Sequence, residues 1–454
     1  MKKTTLLLVI ILAFSVLFFS CGNDNKEEPE IQFEPESFDD LWQFVDKNMN
    51  ALKSYRIDTK ADIDVEVNQI KIDGDINMQS IIIGTSLDEN FYLYNEAESV
   101  VMVDGNISSR AETVLAYSDG KMYVCNKTDE NTSKIYSDMT AEKFYAYFSE
   151  AGDEIDVFPG QTYEQSMEKT ENGVWELRFW NYDRKQLAEI LDSMGFTAKN
   201  LGFIINDICV TMTLDKEFRV ANIRLDFKTD LSEEPAITMD MRYSDYNKAE
   251  KKSLDQSEYQ EVCDARIVGR LKMYIDDAIY EPNGSFTFNS KQTLKDKTDT
   301  KTFSRSEETD VVEYSNGNGG CYYSVDANYN GKYVSIEYFL GDQTIKSGVN
   351  SKVVDQTEDE AYAFIQQLID PLKFDPSLVT GISEIKDGRY RIDLITKNAF
   401  EYGQAMMSLG DKYEGYELYI IVNMDEEKIS VIETHLLIIG EQRKLYNDSV
   451  MTIN

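Results

Sequence analysis

Beyond residue 36 the chain shows two hydrophobic patterns in succession. Between residues 37 and 53 the apolar side chains recur every three or four positions, at Phe38, Leu41, Trp42, Val45, Met49 and Leu52. This spacing predicts an amphipathic helix with Ser37 as its N-cap. From Ile57 the pattern becomes strictly alternating, with Ile57, Thr59, Ala61, Ile63, Val65 and Val67 on one face and Asp58, Lys60, Asp62, Asp64, Glu66 and Asn68 on the other. Such alternation predicts an antiparallel strand with one exposed face.

The alternation resumes after Asp73-Gly74, a pair that we interpret as a hairpin turn. Ile76, Met78, Ser80 and Ile82 continue it, and further strand signals lie in residues 91–94, 100–103, 114–117 and 122–125. The sequence therefore predicts a long antiparallel meander after the first helix.

The second half of the chain repeats the order of the first. At one constant offset, Gly173, Trp175, Leu177, Phe179, Ser193 and Gly195 match Gly388, Tyr390, Ile392, Leu394, Ser408 and Gly410. Similar helices precede the two segments, at residues 144–148 and 361–365, and hairpins follow them, at 210–227 and 418–437. A second amphipathic helix, with Ile267, Leu271, Tyr274, Ile275 and Ala278, opens the second half. We interpret this as a tandem duplication whose boundary lies in the charged stretch 247–256.

The N-terminus carries a targeting signal. Met1-Lys2-Lys3 precedes an apolar run from Leu6 to Phe19, which ends in Ser20-Cys21-Gly22 and an acidic stretch. The run is too short to span a membrane and predicts a secretory signal peptide over residues 1–20, followed by a tether over 21–36. The junction resembles the lipobox of bacterial lipoproteins, although Phe18 stands where leucine is usual. That resemblance implies that Cys21 is lipidated and anchors the chain; the alternative is an ordinary signal peptide with an incidental cysteine.

The predicted order of elements defines a fold class. A leading helix, a meander, a mid-chain helix and a closing hairpin predict an α+β fold in each half, over residues 37–247 and 255–454. Each half would be a curved antiparallel sheet, or half-barrel, with helices packed on its concave face. This order resembles the lipoprotein-carrier fold of the LolA and LppX families, which implies an apolar hollow that takes up acyl chains.

Charge narrows the class of partner. The chain has 46 basic and 82 acidic side chains, and loss of Lys2 and Lys3 with the signal peptide leaves 44 basic side chains and a net charge of −38. A surface this negative repels nucleic acid and anionic lipid headgroups. We therefore expect no nucleic-acid partner, and membrane attachment only through the lipid on Cys21, at the extracytoplasmic face of a bacterial cell membrane.

Few residues support catalysis or metal binding. His435 is the only histidine, and the alternation around it predicts an exposed position on a strand. Cys125, Cys209, Cys263 and Cys321 form no CxxC pair, so zinc spacing is absent, and up to two disulfides in three possible pairings stay open. Asp73 begins a segment similar to a calcium loop, but Met78 stands at the required glycine position. We expect no cofactor and no metal.

These observations predict a non-enzymatic, membrane-anchored lipoprotein that binds an apolar or lipid-like ligand between sheet and helix. The residues expected to line the hollow are Phe38, Leu41, Trp42, Val45 and Met49 in the first half and Ile267, Leu271, Tyr274 and Ile275 in the second. The same stripes would also close a dry core. Two alternatives are an envelope protein-interaction or sensor subunit with a filled core, and a hydrolase with dispersed acids.

Overall fold

A computed structural model describes residues 35, 37–67, 70–84, 91–151, 164–180, 182, 205–229, 235–280, 283–317, 320–339, 341–348, 350–369, 372–386, 388–396, 398–424 and 429–453. The predicted signal peptide, Cys21, Ser193 and Gly195 lie outside these residues. The chain divides after Tyr259 into two compact units, called unit 1 and unit 2 below.

The described part of unit 1 contains two helices and eleven strands. They are α1 Phe38–Asn50, β1 Ser54–Val67, β2 Ile70–Ile83, β3 Tyr92–Val103, β4 Asn106–Ser118, β5 Lys121–Thr128, β6 Thr132–Asp138, α2 Ala141–Ala151, β7 Glu164–Lys169, β8 Trp175–Trp180, β9 Ile205–Leu214, β10 Val220–Thr229 and β11 Ile237–Ser244. A 3₁₀ turn, Gln256–Glu258, lies near its end.

Unit 2 begins with the two-residue strand β12, Gln260–Glu261. Its further described elements are α3 Arg266–Tyr280, β13 Asn283–Asp296, β14 Thr302–Gly317, β15 Gly320–Tyr329, β16 Lys332–Phe339, β17 Asp342–Ser347, β18 Asn350–Asp355, α4 Glu358–Ile369, a 3₁₀ turn Pro376–Leu378, β19 Val379–Lys386, β20 Arg389–Leu394, α5 Ala399–Ser408, β21 Tyr413–Asn423, β22 Val431–Gly440 and β23 Arg443–Ile453.

The two units share one topology. In unit 1 the strands lie in the order β6-β5-β4-β3-β2-β1-β11-β10-β9-β8-β7, and in unit 2 in the order β18-β17-β16-β15-β14-β13-β23-β22-β21-β20-β19. In each unit six strands form a meander, a segment with a helix leads to the far side of the sheet, and the remaining five strands return to the first. Gly173 and Gly388 lie in corresponding hairpin turns with φ of +78° and +68°. This shared order is what the internal repeat predicts.

Strand content is higher than the predicted α+β class implies. Strands make up 62% of the described residues, and the molecule consists of two large antiparallel sheets with few helices. Neither sheet closes into a barrel. The structure is therefore mostly β, because each unit adds strands beyond the hairpins that the sequence pattern indicates.

The first helix forms where its pattern predicts. Ser37 has an extended backbone, and its hydroxyl accepts a hydrogen bond from the backbone N–H of Asp40 at 3.2 Å, which satisfies one free donor of the first turn. Leu41, Val45 and Met49, spaced four apart, are almost completely buried, so the helix packs through the predicted stripe.

The predicted hairpin turn at Asp73-Gly74 is wrong. Both residues lie inside β2, where Asp73 pairs with Asp64 and Gly74 with Ile63. A Cβ atom on Gly74 would come within 3.1 Å of the Cδ1 atom of Ile63, so the glycine packs closely against this side chain and does not form a turn. The first strand thus continues to Val67 before the chain reverses.

Candidate functional site

The predicted ligand-binding residues of unit 1 lie on the side of α1 that packs against the sheet. Leu41 and Val45 are 0% and 1% exposed. The ring of Phe38 meets Phe179 of β8 edge to face, with ring centroids 5.3 Å apart, and Trp42 stacks on Phe38. Met49 contributes its sulfur, which accepts a hydrogen bond from the backbone N–H of Val220 on β10 at 3.4 Å. The stripe therefore makes direct contacts with β8 and β10.

In unit 2 the corresponding stripe of α3 is buried in the same way. Ile267, Leu271 and Ile275 are buried and Tyr274 is half-buried. The helix also buries an ion pair, in which the ammonium of Lys272 donates to the carboxylate of Asp276 one turn later. Removing two charges from water costs several kcal/mol per ion, so this pair depends on its mutual contact.

The opposite face of the unit 1 sheet is polar. The even-numbered side chains of β1 point to it, and cross-strand pairing places similar residues beside them. Asp240, Lys60, Asn77, Glu98 and Glu112 stand side by side in one row, one each from β11, β1, β2, β3 and β4. We call this surface the polar face.

A groove with a volume of about 780 Å³ lies on the polar face. Its charged lining comprises the carboxylates of Asp58, Asp62, Glu96, Glu98, Glu112 and Asp240 and the cations of Lys60, Arg224 and Arg242, with Asn77 and Gln79 between them. Pockets for small molecules are mostly apolar, whereas this lining is charged. The groove is therefore suited to a ligand that carries charge.

The cations of the groove are already paired within the sheet. Lys60 contacts Asp62 at 2.6 Å, and Arg242 contacts Asp240 at 2.9 Å. Arg224 contacts Asp226, the next residue on its face, at 3.0 Å. Their charge is thus largely compensated before any ligand binds.

The carboxylates of β3 and β4 are less well compensated. Glu98 stands directly opposite Glu112, and like charges in this position repel each other. Lys127 contacts Glu112 at 2.7 Å. Glu98 makes neither a hydrogen bond nor an ion pair with any residue in the described part of the chain. The unmet charge of the groove is therefore negative and lies at Glu98.

One residue of the groove lining, Glu96, is contacted by residues 245–259, here called the strap. The strap includes the charged stretch 247–256, which the sequence predicts as the boundary between the two halves. The hydroxyl of Tyr92 accepts from the N–H of Lys252 and donates to its carbonyl, both at 3.1 Å. The ammonium of Lys252 pairs with Glu96 of the groove and lies 4.9 Å from the ring centre of Tyr94. Burial raises the pKa of Tyr92 to about 12. The strap thus packs on unit 1 rather than lying free.

His435 of unit 2 is not exposed as the sequence predicts. Its ring is half-buried, stacks on Tyr419 with centroids 4.8 Å apart, and places Nδ1 2.9 Å from a carboxylate oxygen of Asp448. Both neighbours lie directly across from it on β21 and β23, a pairing that local alternation cannot reveal.

The cysteines and acids show no metal site. In the described residues, no group of three or more His, Cys, Asp or Glu side chains is arranged to hold a metal ion. Cys125, Cys209 and Cys263 are free thiols in the structure. None of the described helices is long and apolar enough to cross a membrane.

The fold and the site define a chain of two mostly-β units with open antiparallel sheets, one of which carries a charged groove. No family model and no curated sequence matches this chain. Similar solved structures include a β-barrel-like DUF1849 protein from Brucella abortus, 10% identical over 42% of this chain and 96% of that one, with a TM-score of 0.17. A DUF1329 protein from Desulfovibrio piger is 10% identical over 49% of this chain and 97% of that one, with a TM-score of 0.18. Likeness this low does not establish a shared function.

Proposed function

We propose that this chain is a membrane-anchored, extracytoplasmic binding protein without enzymatic activity. The observation that carries the proposal is the N-terminal motif, in which Ser20-Cys21 ends a short apolar run and an acidic tether follows. One or more lipids on Cys21 would hold the units at the membrane, since the strong net negative charge disfavours electrostatic adhesion to anionic lipids.

The anchor is tested by replacing Cys21. Wild-type chain expressed in a bacterial host should incorporate labelled palmitate and fractionate with membranes, whereas Cys21→Ala should do neither and should appear in the periplasm or medium. Ser20→Ala serves as the control, because it changes the neighbouring residue and keeps the thiol. Equal membrane retention of Cys21→Ala and wild type would contradict the anchor.

For the ligand, we propose an acyl chain held between helix and sheet. The supporting observation is that both units bury an apolar helix stripe, with Leu41 and Leu271 at its centre. Trp42 is half-buried beside Phe38, so its emission should shift when a lysolipid or fatty acid enters the layer. Titration with lysophosphatidylcholine below its critical micelle concentration should give a saturable shift. A linear response or none would count against this ligand.

The second candidate is an interaction subunit of the cell envelope with a filled core. It is favoured by the near-complete burial of Leu41, Val45 and Leu271 and by the direct contacts of α1 with Phe179 and Val220. Side chains that already contact the sheet must separate before a chain can enter, and this separation costs about 25 cal/mol per Å² of apolar surface exposed. Saturable lysolipid binding with a shift of Trp42 emission would reject this candidate.

A further inference from the structure

The polar face of unit 1 carries an open groove that the helix–sheet layer does not use. The groove spans the sheet from Arg224 on β10 to Glu112 on β4, which are five strand spacings or about 24 Å apart along a flat sheet. An extended peptide of about seven residues covers this distance. Its length and volume thus fit a segment of chain better than a single small ion.

The charge of the groove specifies the sign of its occupant. Six carboxylates and three cations line the groove. Five of the carboxylates have a cation partner: Asp58 pairs with Arg56, Asp62 with Lys60, Glu96 with Lys252, Glu112 with Lys127 and Asp240 with Arg242. What remains is the corner where Glu98 stands opposite Glu112: Lys127 pairs with Glu112, whereas no cation reaches Glu98 among the described residues. A partner that supplies positive charge at this corner would relieve the repulsion between the two glutamates.

We propose that the groove docks an extended segment of a partner protein that carries lysine or arginine side chains. The basic side chains of the segment lie at the β3–β4 corner, and its uncharged positions lie along Asn77 and Gln79. The strong net negative charge of the chain increases the rate of encounter with such a partner. This surface is separate from the helix–sheet layer, so the inference does not depend on a lipid ligand.

A matched pair of charge reversals tests the inference. Glu98→Lys places a cation in the groove, and Glu168→Lys makes the same change of net charge on β7. That strand is seven strand spacings from Glu98, or about 34 Å along a flat sheet, and three spacings from Arg224 at the near end of the groove. Both glutamates are exposed on strands of one sheet. At 0.15 M salt the screening length is about 8 Å, so the control residue has little influence at the Glu98 corner.

The probe is a fluorescein-labelled ten-residue peptide of alternating lysine and serine, titrated with the full chain in 0.15 M salt and followed by fluorescence anisotropy. We expect saturable binding with one peptide per chain. Glu98→Lys should weaken it at least tenfold and Glu98→Gln at least threefold, whereas Glu168→Lys should leave the Kd within twofold. Unchanged tryptophan emission and thermal midpoints verify that each variant is folded.

Three results would overturn the inference. Equal weakening by Glu98→Lys and Glu168→Lys would mean that the peptide senses net charge alone. Failure to saturate at one peptide per chain would mean that no defined site exists. Displacement of the peptide by micromolar spermine or calcium would mean that the groove takes a small cation rather than a protein segment.

Discussion

Shortening Leu41 to alanine gives the sharpest test of how the helix–sheet layer of unit 1 is filled. Leu41 is wholly buried on α1, between Phe38 and Val45 of the same stripe. If protein atoms fill the layer, Leu41→Ala removes buried methyl groups and leaves a cavity that the sheet cannot fully close. If the layer is a hollow kept open for a ligand, much of that packing is absent from the start.

The expected effect follows from the burial of this side chain. A Leu→Ala change at a closely packed site lowers the free energy of unfolding by about 2.7 to 5 kcal/mol. With an m-value of about 2 to 3 kcal/mol per molar urea, the midpoint should fall by about 0.9 to 2.5 M. Gln43→Ala, on the exposed side of the same helix, should change the free energy by no more than about 0.5 kcal/mol.

Tryptophan emission isolates unit 1 in this experiment. The three tryptophans of the chain, Trp42, Trp175 and Trp180, all precede Tyr259. Urea unfolding of the full chain followed by tryptophan emission therefore reports on unit 1 even though the two units need not unfold together. A midpoint shift below about 0.3 M for Leu41→Ala, with restabilisation by lysolipid, would refute a filled layer.

Three further predictions concern other parts of the fold. A Cβ atom would meet nothing within 4 Å at Gly410 or at Gly415, but only Gly410 has a positive φ, of +70°. Gly410→Ala should therefore lower the thermal midpoint, whereas Gly415→Ala should leave it unchanged or raise it. Asp276→Asn strands the buried ammonium of Lys272 and should destabilise unit 2 by about 3 to 5 kcal/mol, measured by calorimetry, while Asp276→Leu combined with Lys272→Met should restore most of the loss. The pKa of Tyr92 is about 12 in the folded chain and about 10 in the unfolded chain. The stability that Tyr92 contributes is therefore complete below pH 10 and is lost as the pH rises to 12. Unfolding midpoints of unit 1 that stay constant over this range would contradict this prediction.

Local periodicity predicts the elements of this chain well where one face is buried. The helix with Leu41 and Val45 and the alternating strand β1 are both found, because burial of one face imposes a regular pattern on consecutive residues. The turn predicted at Asp73-Gly74 is wrong because pairing with a distant residue outweighs a local preference. An Asp-Gly pair favours a turn locally, but Gly74 pairs with Ile63 inside β2 and packs closely against its side chain, so strand pairing prevails.

The groove could not be found from local patterns, since it depends on cross-strand register. Asp58, Lys60 and Asp62 are visible in the sequence as a polar face, which is the usual face of a half-exposed strand. They can be recognised as part of a charged groove only when strand pairing places Glu98 and Glu112, fourteen residues apart in the chain, opposite each other. Local alternation predicts that each residue is exposed, but it does not predict which exposed residues meet.

The shared topology allows the two units to differ in what they expose. Each unit buries an apolar helix stripe, around Leu41 in unit 1 and Leu271 in unit 2. The outer face is under no such packing requirement, because side chains there contribute little to the core. A charge arrangement that costs stability, such as Glu98 opposite Glu112, can therefore persist on one copy when it serves binding, while the shared topology is maintained by the buried faces alone.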